Sequence, residues 1–299
     1  MLTKSQRDLL PLKTWLPIFG LLAVLSVGVG AEVQPRTNAT ERVSGKWKTI
    51  AELKTAAEAG NARAQVELGT AYLRGVQDLP QDKVVGLQWL RKAAGQGDNM
   101  GQWMLGQCLD RGEGGPTNTA EALDWWQKSA QQNNPLAQME LGFCYLNGRG
   151  VVSNKTEGFR LLTAAAETGS PVPQFMLGFA YQAQAMLVTN DPVDIKKAAE
   201  WFTKSADQGF ENAQFMLGQC YQYGRGVEKD PVEAYKWFLV ANRRSVRPVM
   251  PPELMDTITA RQMREGLEKA RAFVPRTNAV TFSTPAMPDW MDKGAAGGK

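Results

Sequence analysis

The chain has 299 residues, 43% of them apolar, and a formal net charge of +4. That suffices for one or two ordinary domains or one elongated array with a substantial core, and it gives no basic stripe of the kind that binds nucleic acid. The chain contains no histidine, which removes the commonest general base and metal ligand, and its three cysteines form neither a zinc quartet nor an even disulfide framework.

The first segment, MLTKSQRDLLPLK, sets Lys4, Arg7 and Lys13 against one acid, Asp8. Trp15 to Ala31 follows without a charge and ends in the small residues Val29-Gly30-Ala31. This stretch is short for a membrane span, which needs about 20 apolar residues. A basic start, an apolar middle and a small-residue end fit a secretory signal. Residues 1–31 therefore read as a signal peptide, with an uncleaved inner-membrane signal anchor through residues 15–31 as the competing reading. No cysteine lies near this site, which excludes a lipoprotein anchor. Either reading places the rest of the chain in the periplasm, free or held at the inner membrane. Residues 32–46 are polar and read as a linker.

From residue 47 to 243 the sequence repeats. Leu-Gly recurs at Leu68-Gly69, Leu105-Gly106, Leu141-Gly142, Leu177-Gly178 and Leu217-Gly218, in steps of 37, 36, 36 and 40 residues. A glutamine stands three residues before each leucine: Gln65, Gln102, Gln138, Gln174 and Gln214. A fixed period of this length marks a solenoid. Each unit opens with apolar residues at helical spacing, as in AQVELGTAYL. Glycine inside a helix costs about 1 kcal/mol against alanine, so five at one phase point to close helix–helix approach. NGRGV and YGRGV then supply glycines able to end a helix in the left-handed conformation. A second helix starts at Asp230, Pro231 and Glu233, and at Asn118 and Glu121, with the spacing of an N-cap and capping-box acid. The pairs Trp89/Leu90, Trp125/Trp126, Leu161/Leu162, Trp201/Phe202 and Trp237/Phe238 are expected as the second helix's buried row.

These residues resemble the Sel-1-like repeat, a relative of the tetratricopeptide repeat. The resemblance covers five repeats over about residues 50–243. It implies an all-α, right-handed α-solenoid of helix-turn-helix units. The fourth unit departs from the pattern: LGFAYQAQAMLVTNDPVD lacks the glycine turn and carries four extra residues, so its loop is expected to be longer. The stretch before the first repeat, VSGKWKTIAELKTAAEAG, reads as a lone leading helix. Residues 244–274 read as a C-terminal cap, with one amphipathic helix from Pro252 to Phe273, because a solenoid needs its last repeat covered. Residues 275–299, including Trp290, have no periodicity and read as a disordered tail.

Chemistry is sought and not found. Cys108, Cys144 and Cys220 sit three residues after the repeat leucine, where Ala71 and Ala180 stand in the other units. The position asks for something small and buried. Successive copies would lie about 10 Å apart, beyond disulfide reach. GEGGPTN lacks the lysine–serine/threonine ending of a phosphate loop. Asp191-Pro192-Val193-Asp194 reads as helix capping. No catalytic, cofactor-binding or metal-binding residue is assigned, and no enzyme activity or cofactor is expected.

The resemblance implies a concave face lined by the first helices. One helical stripe there runs through positions −5, −1, +2 and +6 from each repeat leucine. It starts charged at Arg63, Glu67, Thr70 and Arg74 and turns apolar further on. The residues expected to meet a protein partner, across repeats two to five, are Met100, Met104, Leu136, Glu140, Phe143, Val172, Met176, Phe179, Met216 and Tyr223. Methionine suits adaptable protein-binding surfaces, and a contiguous apolar patch marks an interface. Burial in the core is the competing reading for Phe143 and Phe179. The resemblance further implies a non-enzymatic protein-binding module of the envelope. Exported relatives of this family include immunity proteins that neutralise type VI secretion lipase effectors in the periplasm. Others are scaffolds or adaptors for assembly and signalling.

Overall fold

The computed structural model describes residues 47, 49–76, 79–186, 191–243 and 250–276, all within one compact unit, residues 45–299. The expected leader, the linker, Trp290 and most of the tail lie outside the described residues, as do residues 187–190 of the long fourth-repeat loop. A lone helix, α1 (Ile50–Glu58), comes first. Five pairs follow: α2 (Ala62–Arg74) and α3 (Lys83–Gly95), α4 (Asn99–Arg111) and α5 (Thr119–Gln131), α6 (Pro135–Asn147) and α7 (Lys155–Glu167), α8 (Pro171–Gln184) and α9 (Pro192–Asp207), α10 (Glu211–Tyr223) and α11 (Pro231–Ala241). Two helices close the unit, α12 (Pro252–Met255) and α13 (Ala260–Ala272). Each of α1 to α11 packs on its neighbour in sequence. The result is an all-α solenoid; among the described residues extended pairing is confined to one isolated bridge, Val76 with Leu79.

The helices begin where the sequence supplies caps. Asn61, Asp82, Asp98, Asn118, Asn154 and Asp230 each accept a hydrogen bond from a first-turn backbone N–H. Asp191 does so too, from Val193 N at 2.8 Å, as expected of a capping residue. A side-chain cap contributes about 1 kcal/mol. The capping-box acids behave differently from expectation. Glu121 turns to Arg91 at 2.6 Å and accepts from Trp125 Nε1 at 3.3 Å. Glu233 turns to Lys236 at 2.9 Å and to Lys269 at 3.1 Å. A carboxylate in a first turn takes an available cation in preference to one more backbone N–H.

The Leu-Gly glycines lie where helices touch. A Cβ on Gly106 would meet Trp126 Nε1 at 2.4 Å, and one on Gly142 would meet Leu162 Cγ at 2.8 Å. The partner helix follows a size rule. Where the buried residue is Leu90 or Leu162, the residue four before it is Gly86 or Gly158; where it is Trp126, Phe202 or Phe238, it is Ala122, Ala198 or Ala234. Of each expected buried pair, the second member is fully enclosed. The first is only half-buried at Trp89, Trp125 and Trp201, each covered by the ammonium of a lysine three residues on, at 4.0, 4.1 and 3.7 Å from the ring. The expected buried row is thus two residues wide in repeats three and five, where Leu161 and Trp237 are buried as well, and one residue wide in the other three.

The recurring glutamines bridge successive second helices. Gln65 donates to Ala57 O at 3.0 Å and accepts from Gln96 Nε2 at 2.6 Å. Gln102 donates to Ala94 O and accepts from Gln132; Gln174 donates to Ala166 O and accepts from Gln208. Each bridge satisfies two helix-end or amide groups that would otherwise be buried without partners. In repeat three the residue at the place of Gln96, Gln132 and Gln208 is Thr168, which bonds its own helix instead. The Oε1 of Gln138 is left buried with no hydrogen bond.

The C-terminal cap is two helices, not the single helix expected over Pro252–Phe273. The chain breaks at Asp256–Thr259, and Thr259 with Gln262 forms a reciprocal capping box that starts α13 afresh. Leu254 and Ile258 enter a cluster with Phe238 and Ala234. Phe273 packs edge-on against Trp237 at 5.1 Å, so Trp237 is buried where Trp89, Trp125 and Trp201 are half-exposed. The covering role expected of this segment is therefore met by a different local structure.

Candidate protein-binding face

The stripe is built by the first helices α2, α4, α6, α8 and α10, and the structure divides it. In repeat one, Arg63 and Arg74 are exposed, while Glu67 and Thr70 are buried. In repeats two and three, Met100, Met104, Arg111, Glu140 and Phe143 are half-buried, Asn147 is exposed and Leu136 is buried. In repeats four and five, Met176 and Phe179 are each 8% exposed and Met216 is 6% exposed. Val172, Ala183 and Gln219 are half-buried, and Tyr223, at 42%, closes the far end. The apolar run expected to face a partner thus stays accessible at Met100, Met104 and Phe143 and enters the interior at Leu136, Met176, Phe179 and Met216.

The cause is a contact between neighbouring first helices. Position +2 of one repeat meets position −1 of the next. Thr70 Oγ1 lies 3.5 Å from Met104 Sδ, and Gln107 Nε2 donates to Glu140 Oε1 at 2.6 Å. Phe143 with Met176, and Phe179 with Met216, stand at the same register further along. Phe179 also joins an aromatic cluster through Phe175, 6.5 Å away, which in turn lies 5.8 Å from Phe202. Methionine at −1 is a filler between helices as well as a surface residue.

A polar network crosses the middle of the stripe. Arg149, from the GRG turn of repeat three, pairs with Asp110 at 2.5 Å and lies 3.9 Å from Glu140. Its guanidinium also touches Cys144 Sγ at 3.4 Å and faces the Trp126 ring at 5.5 Å. Burial pushes the Glu140 carboxyl above its ordinary range, against the lowering by Gln107 and Arg149. Burial likewise raises Glu67 against its partner Arg63 at 3.2 Å. In sequence Asp110 has no assigned role, and the GRG turn of Arg149, which suggests a basic contact, reads as a helix-ending turn; the structure shows that it is both. Their signal was there: an acid at the end of one first helix and an arginine in the next repeat's glycine turn.

The three thiols are buried, and burial holds Cys108 and Cys220 up at about 12. Such groups stay protonated and are poor nucleophiles at neutral pH. No group of three His, Cys, Asp or Glu side chains among the described residues could hold a metal, and no described helix is long and apolar enough to cross a membrane. A cleft of about 440 Å³ lies elsewhere, lined by Trp201, Lys204, Gln174, Gln208, Glu167 and Arg276 among others.

The helix pairs coincide with a known repeat. The Sel1 repeat family matches at residues 62–98, 99–134, 135–170, 174–210 and 212–244, more than half of the chain. No curated protein matches the sequence. Among solved structures, a Sel1 repeat protein from Oxalobacter formigenes is 32% identical with a TM-score of 0.56, covering 65% of this chain and 55% of that one. This chain therefore spans about half the length of that relative. A protective antigen of uropathogenic Escherichia coli with an SLR fold is 25% identical with a TM-score of 0.45, covering 75% of this chain and 55% of that one. An immunity protein from Pseudomonas aeruginosa is 20% identical with a TM-score of 0.48, covering 70% of this chain and 77% of that one. The last two are too distant to transfer a property. With one helix pair in each of five matched segments, the chain belongs to the Sel1 repeat family.

Proposed function

We propose that this chain is a non-enzymatic protein-binding module of the bacterial periplasm. In this reading it is an immunity protein that neutralises a type VI secretion lipase effector. Sel1 repeats form a protein-interaction fold, which supports the class. The observation that carries the site is the accessible part of the stripe: Met100, Met104 and Phe143 half-exposed, with Arg74 and Arg111 beside them. Apolar anchors with arginine nearby are the composition of binding hot spots. The uncharged stretch Trp15–Ala31 supports export, with anchoring at the inner membrane through residues 15–31 as its variant. The seat is repeats one to three, a shift from the two-to-five placement expected from sequence, because the later methionines are enclosed.

The reading predicts a lipase encoded beside this chain's gene; the test is to purify residues 32–299 and measure binding to that lipase, with lipid hydrolysis as the second readout. One-to-one binding that abolishes hydrolysis supports the reading, and Met104→Ala with Phe143→Ala should weaken it. No binding, or binding that leaves hydrolysis intact, overturns immunity. One observation favours a scaffold instead: Trp89, Trp125 and Trp201 give the second helices a further row of half-exposed rings. Pull-down of several envelope proteins, lost on substitution of those tryptophans, would support that alternative.

A further inference from the structure

We propose that the first-helix face of repeats one to three is a receptor for an apolar side chain flanked by two carboxylates, and that its occupant is this chain's own segment Asp289-Trp290-Met291-Asp292. Arg74 and Arg111 are the last residues of α2 and α4 and hold the same position in successive repeats. Arg74 is exposed and Arg111 half-buried. Among the described residues Arg63, Arg91, Arg149 and Arg160 each form an ion pair, whereas Arg74 and Arg111 form none within 4 Å, Arg111 facing Glu140 only at longer range. Along the same helix faces Met100 and Met104 of α4 and Phe143 of α6 offer half-exposed apolar side chains, Met104 two turns before Arg111. The surface thus asks for two negative charges with a large apolar group next to them.

Residues 277–299 contain two acids, Asp289 and Asp292, and these flank Trp290-Met291. The spacing agrees. Three residues of extended or polyproline-type chain advance about 9–10 Å, and packed neighbouring helices stand about 8–10 Å apart. The reach agrees as well. The described chain ends at Arg276, whose backbone N–H donates to Asp207 O at 2.6 Å in repeat four. Twelve residues, 277–288, separate Arg276 from Asp289, and the thirteen steps span up to about 45 Å. Two or three repeats at about 10 Å each, together with the roughly 20 Å of a first helix that separates the Asp207 end from the Arg74 and Arg111 end, stay within that distance for a nearly extended chain. The tether makes the contact intramolecular, so it needs less affinity than a free peptide would. Any protein that binds this face must then displace the segment. That consequence rests on the binding function proposed above; the contact itself does not.

The contact can be read in the full chain without a partner, by placing the photo-crosslinker p-benzoylphenylalanine at Trp290 and mapping products by mass spectrometry. The expected products join position 290 to α4 and α6, at Met100, Met104 or Phe143, in a monomeric band. Arg74→Glu with Arg111→Glu should reduce their yield about tenfold, the scale of reversing two exposed charge pairs. Adding Asp289→Lys and Asp292→Lys should restore it, while the helical melt stays unchanged in all variants. Products scattered over the surface, or indifferent to the charge reversals, would overturn the proposal. The same sites in a dimeric band would overturn the intramolecular occupant and assign the face to a second copy. Failure of lipase binding with the cross-link intact would sink only the immunity reading.

Discussion

The stripe that runs along the first helices leaves apolar side chains partly open at Met100, Met104 and Phe143 in repeats two and three, and encloses Met176, Phe179 and Met216 in repeats four and five. Met104 and Met216 occupy the same position of the repeat. Met104 is half-buried against Thr70, and Met216 stands in the register of Phe179 and is enclosed. A small hydroxyl at +2 leaves the next repeat's methionine partly uncovered, and a phenyl ring in an aromatic cluster covers it. One structural register therefore serves as surface at one end of the molecule and as core at the other.

Truncating the two phenylalanines breaks or sharpens that comparison most. Phe179→Ala should destabilise the protein by about 3–5 kcal/mol, as for a buried aromatic ring, and Phe143→Ala by about half as much or less. Urea midpoints measure both; equal shifts would mean that Phe143 is core after all. The methionines should separate in the same direction. Met216→Ala is expected to lose about 2–4 kcal/mol and Met104→Ala about 1 kcal/mol, with calorimetric melting temperatures as the check.

The glutamine bridges give a smaller and opposite pair of effects. Gln132→Ala leaves the Gln102 Oε1 buried without its donor and should cost about 1–3 kcal/mol, whereas Thr168→Gln supplies a donor near Gln138 and should gain about 1 kcal/mol. If Thr168→Gln is neutral, the repeat-three orphan is already hydrated, and denaturant titration of the two variants decides this.

The smallest effect concerns Glu140, whose side chain is 17% exposed. Burial raises its pKa above the ordinary 4.5, so the folded protein holds that proton more readily than the unfolded chain. Its contribution to stability therefore falls as pH rises from about 4.5 through the raised value, the reverse of an ion-paired acid. Glu140→Gln should flatten this part of the stability–pH curve and keep the contact to Gln107. An unchanged curve would show that Arg149 at 3.9 Å already compensates the burial.

How much of this was legible in the sequence depends on the distance over which each feature is decided. The repeat period, the caps at Asn118 and Asp230 and the contact glycines are local, set by residues within one or two helical turns. The closing segment shows the limit: a Pro252–Phe273 helix is what periodicity alone gives, and Thr259 with Gln262 restarts it because Leu254 and Ile258 must turn toward Phe238. The accessible part of the stripe is less legible still. The four apolar positions Met104, Phe143, Met176 and Met216 look alike in sequence, yet they differ in exposure because of residues some 33 to 37 positions away.

By itself the sequence determined an all-α array of five helix pairs, where each pair starts, and which glycines lie at the crossings, because helix periodicity, capping and glycine's missing Cβ act within a single unit. Only the tertiary structure decided that Gln65, Gln102 and Gln174 tie one second helix to the next, that Arg149 belongs to Asp110, and that Met100, Met104 and Phe143 stay within reach of a partner. Each of those outcomes depends on how much neighbouring repeats cover one another, a quantity set by the side chains on both units at once.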